Sequence, residues 1–171
     1  MGRHLIVDGY NLARSGAIML AEDPAGDEGR VELCALLSAY ARGKGFRLTV
    51  VFDGRGSADP ERTRQPFKGG TAIFSSRSET ADDVIRDLSR GAPAGTIVVT
   101  SDRGLGGTLR SRDATVVSCE EFAGRLAAFQ SKDTKEPAGE ETDDGRRKGK
   151  KGEGRKKKKR ERDRGRVLRK L

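Results

Sequence analysis

His4-Leu5-Ile6-Val7-Asp8-Gly9-Tyr10-Asn11, near the start of the chain, decides the reading of the fold. Leu5, Ile6 and Val7 form a short apolar run that stops on a carboxylate, with a glycine turn behind it. A continuous apolar run bounded in this way fits a strand covered on both faces. Asp8 then stands where the backbone leaves the sheet, at the carboxyl end where parallel sheets place their ligands. The pattern recurs twice. Thr49-Val50-Val51-Phe52 ends on Asp53-Gly54, and Ile97-Val98-Val99-Thr100-Ser101 ends on Asp102.

The segments between these strands carry helical patterns. After Asn11 the sequence predicts a loop with at most one short helical turn. An amphipathic helix follows over Asp27 to Arg42, with Val31, Cys34, Leu37 and Ala41 on one stripe. Arg47 to Phe52 is the second strand, and Thr71 to Phe74 a short third one. The polar stretch Asp53 to Gly70, with Pro60, Pro66, Arg55, Arg62, Arg64 and Lys68, reads as a long and therefore functional loop. A helix from Glu79 to Arg90 is expected with Ser78 as its cap. Thr96 to Thr100 is the fourth strand, followed by a weak helix that turns Leu105 and Leu109 inward. Ala114 to Val117 is the fifth, and Ser118-Cys119-Glu120-Glu121 then opens a helix to about Phe129 with a capping box. Strands alternating with helices at this spacing predict a mostly parallel five-stranded sheet with helices on both faces, a three-layer α/β/α domain.

Charge divides the chain into a domain over residues 1–130 and a low-complexity tail over 131–171. The whole net charge of +9 belongs to the tail, and the domain is neutral. The tail contains no aromatic residue and too little apolar surface to offset the entropy of ordering, so disorder is expected there. The two cysteines fit a reduced interior better than a disulfide framework. The first strand begins too close to Met1 to leave room for a signal peptide, and no apolar run approaches a membrane span. A cytoplasmic protein that does not enter membranes is expected.

Asp8, Asp53 and Asp102 converge if the first strand is central. The helix beginning Glu79-Thr80-Ala81-Asp82-Asp83 opens on the same edge. Crowded carboxylates repel one another unless a cation lies among them or some take up protons. Hard oxygen ligands with retained waters describe a site for Mg²⁺ or Mn²⁺. Asn11 offers an acceptor and donors without adding charge, and suits the orientation of a ligand or water. Each acid alone has a plain alternative, since aspartate at a strand-to-helix turn often only caps the helix. Four on one edge are harder to explain as caps. Asp83 fits a helix-start role, Glu79 is divided between that role and metal contact, and His4 reads as packing. Neither cysteine has a base in sequence reach, which sets thiol chemistry aside.

Val7-Asp8-Gly9-Tyr10-Asn11, Val51-Phe52-Asp53-Gly54, Glu79-Thr80-Ala81-Asp82 with Ile85, and Val99-Thr100-Ser101-Asp102 resemble, in that order, the motifs of YacP-like NYN-domain proteins in the PIN-like nuclease group. The resemblance spans roughly residues 3 to 129 and leaves the tail outside. It implies a sheet in the order 3-2-1-4-5 and a divalent-metal site. It also implies endoribonuclease activity on single-stranded or ribosome-associated RNA. Asp8, Asn11, Asp82 and Asp102 are its implied core, with Asp53 beside them as a further metal ligand. Arg55, Arg64, Lys68 and Arg103 are expected to contact RNA (mRNA or rRNA), and Lys156, Lys157, Lys158, Lys159 and Arg160 to add affinity for RNA or the ribosome. No nucleotide cofactor is expected. A receiver-type phosphorylation domain is excluded, because Gly9-Tyr10 stands where its acidic pair is needed and Ser118-Cys119 where its lysine is needed. The remaining rival is a non-catalytic RNA- or ribosome-binding protein on the same fold. Against it, an acidic cleft without metal repels phosphates.

Overall fold

The apolar runs form the centre of a six-stranded sheet in the computed structural model, which describes residues 3–54, 59–110 and 114–133. In chain order the elements are β1 (Arg3–Asp8), α1 (Gly9–Arg14), α2 (Asp27–Lys44), β2 (Phe46–Phe52), β3 (Thr63–Phe67) and β4 (Gly70–Phe74). They continue as α3 (Ala81–Arg90), β5 (Ile97–Val99), α4 (Arg103–Arg110), β6 (Thr115–Val117) and α5 (Cys119–Asp133). The sheet order is β3-β4-β2-β1-β5-β6. β1 is central, parallel to β2 on one side and to β5 on the other.

Side chains on these strands alternate between two cores, because successive residues of a strand face opposite sides. Leu5, Val7, Leu48, Val50, Phe52, Ile97 and Val99 pack on one face with α2 and α5. Ile6, Val51, Val98, Val116 and Ile73 pack on the other with α3 and α4. Every residue of β5 is buried, as a strand covered on both faces requires.

The count and order of strands differ from the five in order 3-2-1-4-5. Thr63–Phe67, read from sequence as loop, pairs antiparallel with β4 and makes the sheet mixed. Its middle three residues are exposed and include Pro66, so it has no apolar alternation to betray it. Proline is tolerated there because β3 is an edge strand. With β3 set aside, the remaining five strands are all parallel.

Three further readings change. The short helical turn allowed after Asn11 begins earlier, at Gly9, and runs to Arg14. Val31 is 68% exposed and leaves the predicted stripe, while Leu33, Cys34, Leu37 and Ala41 are buried. α3 starts at Ala81 with Thr80 as its cap, two residues later than expected. Cys34 and Cys119 are both buried and unpaired with each other. Among the described residues no helix is long and apolar enough to cross a membrane. The tail beyond Asp133, with its expected disorder, lies outside the described residues.

Candidate active site

Gly9 is where the first motif needs its glycine. A Cβ at that position would stand 2.5 Å from the Phe52 ring, so any side chain would drive α1 away from the end of β2. With the contact kept, Asp8 caps α1 by accepting the Asn11 backbone N–H at 3.2 Å. The other Asp8 oxygen accepts the Thr100 hydroxyl at 3.4 Å. The next link crosses two strands. The Asn11 side-chain oxygen accepts the Ser101 backbone N–H at 2.8 Å and the Cys119 thiol at 3.1 Å. It thereby ties the turn after β1 to those after β5 and β6.

Asp53 is held from the other side. The Ser75 hydroxyl, buried at the end of β4, donates to Asp53 at 3.3 Å and accepts the Gly54 N–H at 2.9 Å. Asp102 accepts the Leu105 N–H at 2.7 Å through one carboxylate oxygen at the start of α4. Capping and site chemistry are compatible here, because a carboxylate has two oxygens and each cap bond uses one.

A cleft of about 480 Å³ gathers these ends, lined by Asp8, Asn11, Asp53 and Asp82 together with Tyr10, Arg14, Ser101 and Glu120. Asp102 stands close enough to act on both Asp8 and Asp82. Burial pushes the Asp8 carboxyl up to about 6, and the charges of Asp82 and Asp102 push the same way against its two hydrogen bonds. Asp82 is also raised, by burial first and then by Asp102, with Arg86 opposing. Among the described residues, no three acid, histidine or cysteine side chains stand close enough to form a ready-made metal cluster. The donor chemistry still fits a hard divalent cation: all the crowding groups are carboxylates, and their mutual repulsion is what such a cation relieves.

Two neighbouring acids are committed elsewhere. Asp83 closes a capping box with Thr80 and pairs with Arg86 at 2.9 Å. Glu79 accepts from Arg62 at 2.7 and 2.8 Å and from the Ser76 N–H at 3.0 Å, which anchors the start of β3 beside α3. His4 is buried, bonded to Thr49 at 2.8 Å and Arg47 at 2.9 Å, away from the cleft-lining residues.

Of the cations expected to meet RNA, Lys68 lines a second cavity rather than the acid cleft. Arg64 is on the exposed edge strand and Arg103 at the exposed start of α4, and neither lines either cavity. Arg55 and Lys156 to Arg160 lie outside the described residues.

Sequence reading missed Tyr10, Arg14 and Glu120 as cleft residues. Tyr10 and Arg14 share a face because they are one helical turn apart, and Arg14 lies over the Tyr10 ring at 4.9 Å. That spacing carried no meaning while the segment read as a loop. Glu120 read only as part of a capping sequence, but it accepts the Ser101 hydroxyl at 3.1 Å, and both residues line the cleft.

Comparison with known proteins gives this three-layer α/β/α domain, with its carboxylates at the carboxyl edge of the sheet, a nuclease-like, PIN-like fold. The sequence model of the YacP-like NYN domain matches residues 5–167, nearly the full length, and the chain belongs to that family. The match takes in most of the basic tail, where the resemblance read from motifs stopped near residue 129. Among solved structures, the chain is similar to Rae1 (YacP) from Bacillus subtilis at 27% identity and a TM-score of 0.61. That match covers 75% of this chain and 76% of the other. A mutant of the same Bacillus subtilis protein gives 24% identity, a TM-score of 0.61 and coverage of 76% and 78%. No curated protein matches the chain.

Proposed function

We propose that the protein is a divalent-metal-dependent endoribonuclease that cleaves single-stranded or ribosome-associated RNA at the cleft of Asp8, Asp53, Asp82 and Asp102. The observation that carries this reading is the convergence of Asp8, Asp53 and Asp82 on one cleft at the carboxyl edge of the sheet, with Asp102 near enough to raise the Asp8 and Asp82 carboxyls. Like charges crowded around a buried carboxylate are costly and persist where a site needs them. Family membership supports the same reading.

Asp8, Asp82 and Asp102, with Asp53 beside them, would hold Mg²⁺ or Mn²⁺. A cation bound there supplies Lewis acidity toward the phosphodiester and lowers the pKa of an attacking water. The protein's own groups do the rest. Asn11 fixes the spacing between the Asp8 turn and the Ser101-Asp102 turn, and Ser75 fixes Asp53. Arg14, exposed at the lip, meets an incoming phosphate without neutralising the buried acids. Glu120, exposed in the first turn of α5, adds a further carboxylate to the cleft lining.

The basic tail adds sequence-independent affinity for RNA or the ribosome. From Arg146 to Leu171 it holds 16 Lys/Arg against three acids, and a polycation releases counterions from phosphates. The cytoplasm is the compartment where such substrates are met.

The deciding experiment incubates the full-length protein with total RNA and with ribosomes, with and without Mn²⁺, and maps new 5′ ends. New ends that require metal and vanish in Asp102→Asn are expected. Binding of RNA with no new ends under either condition would favour the non-catalytic RNA-binding alternative.

A further inference from the structure

A second cavity, of about 700 Å³, opens between α2 and the β3–β4 hairpin. Phe67 and Phe74, both partly exposed, form its aromatic wall with the buried Phe52 behind them, and Arg30, Val31, Gln65 and Lys68 also line it. Phe52 and Phe74 stack with centroids 5.3 Å apart and planes 21° from parallel. The Arg30 guanidinium lies 5.7 Å from the Phe74 centroid. Val31, the large apolar side chain of α2 that misses the core, stands 68% exposed at this cavity.

The cavity adjoins the acid cleft. Tyr10 lines the cleft and meets Phe52 edge-on at 5.1 Å, while its hydroxyl accepts from Arg30 at 3.0 Å. Asp53 lines the cleft and the next residue, Gly54, lines the cavity. A polymer crossing one therefore reaches the other within a residue or so of its own length.

We infer that the cavity receives one unpaired base of an RNA strand whose neighbouring phosphodiester lies in the acid cleft, a reading that rests on the nuclease assignment above. The partly exposed rings of Phe67 and Phe74 offer apolar surface to the π face of any base. Gln65, on the exposed edge strand, carries both a donor and an acceptor for a base edge. Asp27 and Asp59 also line the cavity; Asp27 pairs with Arg30 and Asp59 accepts from Thr63 at 3.4 Å. These carboxylates disfavour a phosphate inside and leave the interior to a neutral ring, with Lys68 available to a phosphate outside. A base held this way must be unstacked from its own strand, so the substrate class is single-stranded RNA, and paired RNA is disfavoured.

The test uses the full-length protein in Ca²⁺ and a labelled short single-stranded RNA, in which an abasic nucleotide replaces each position in turn. Ca²⁺ screens the cleft acids so that a phosphate can enter, and binding read on RNA that stays intact separates this question from cleavage. One position should weaken binding roughly 5- to 100-fold when its base is removed, the loss of one base–aromatic stack. In Val31→Glu and Phe74→Leu that penalty should shrink to near nothing, with the other positions unchanged. Such a pattern supports the subsite even if no condition yields cleavage, in which case only the nuclease reading falls. A flat abasic series in the wild type, or a penalty that persists in both variants, overturns the subsite while leaving any observed nuclease activity standing.

Discussion

The side-chain oxygen of Asn11 accepts the backbone N–H of Ser101 at 2.8 Å, joining two strand ends that lie 90 residues apart in sequence. The same oxygen takes the Cys119 thiol. Asn11→Ala leaves a backbone donor and a thiol without their acceptor, at a cost of about 1–2 kcal/mol. The more specific consequence is that the Asp102 turn loses its distance reference to Asp8. Cleavage by Asn11→Ala should fall at least tenfold, and chemical denaturation should show the smaller stability loss. Full activity in this variant would show that the strand ends are spaced by other contacts.

Asp8 makes stability depend on pH in a defined direction. Its carboxyl is raised from an ordinary 3.8 to about 6, so the folded protein holds this proton more tightly than the unfolded chain. Stability in EDTA is therefore greatest at low pH with respect to this group. It declines as pH rises through the interval from about 4 to about 6, by about 3 kcal/mol. Asp82 is shifted the same way and leaves a residual slope. Asp8→Asn should be more stable than the wild type at pH 7.5, with the two curves converging below pH 4. Urea denaturation across that range checks this. An unchanged slope in the variant would assign the titration to another group.

The parallel strands and the acids at their ends were legible because both depend on local signals. An apolar run that stops on Asp-Gly can be recognised within eight residues. β3 was not legible, since the hairpin that creates it is stabilised by pairing with β4 and its own residues are exposed. Arg14 and Glu120 escaped for a related reason. Each enters the cleft only because of the direction its helix takes from the sheet, and no short window of sequence states that direction. Val31 shows the reverse error: its spacing fits the apolar stripe of α2, yet the helix turns it toward the second cavity.

Asp82 and Asp83 are adjacent on α3 and point about 100° apart. Asp82 lines the cleft within the fields of Asp102 and Asp53. Asp83 is used in the capping box and in an ion pair with Arg86. Asp82→Ala should abolish cleavage and leave stability unchanged or slightly raised, because it removes a repelling charge. Asp83→Ala should cost about 1 kcal/mol through the lost cap and keep most of the activity. Equal activity losses in both variants would mean that the helix start works as one unit in the site.

Ser75 offers a test that touches no acid. Its hydroxyl donates to Asp53 and accepts the Gly54 N–H, and it is almost fully buried. Ser75→Ala takes one hydrogen bond from Asp53 and strands the Gly54 backbone donor. If Asp53 contributes to metal binding, the variant should need several-fold more Mn²⁺ for half-maximal cleavage while its rate at saturating metal stays near wild type. A lower rate with unchanged metal dependence would instead make Asp53 a contact for RNA.

The proposed division of affinity from chemistry can be tested at the tail. Residues 146–171 carry a net charge of +13 and no aromatic residue, a composition suited to neutralising phosphates and unable to stack on bases. Binding of long RNA by the full chain should fall steeply as salt rises. Deleting residues 134–171, which leaves α5 whole, should flatten that dependence and weaken binding at physiological salt. Cleavage of a short RNA at saturating concentration should survive, because the cleft acids and their supports lie within the retained domain. The family match to residue 167 sharpens this test. A truncated protein that binds as tightly as the full chain but no longer cuts would place the tail in the chemistry, and the division between an adhesive tail and a catalytic domain would fall.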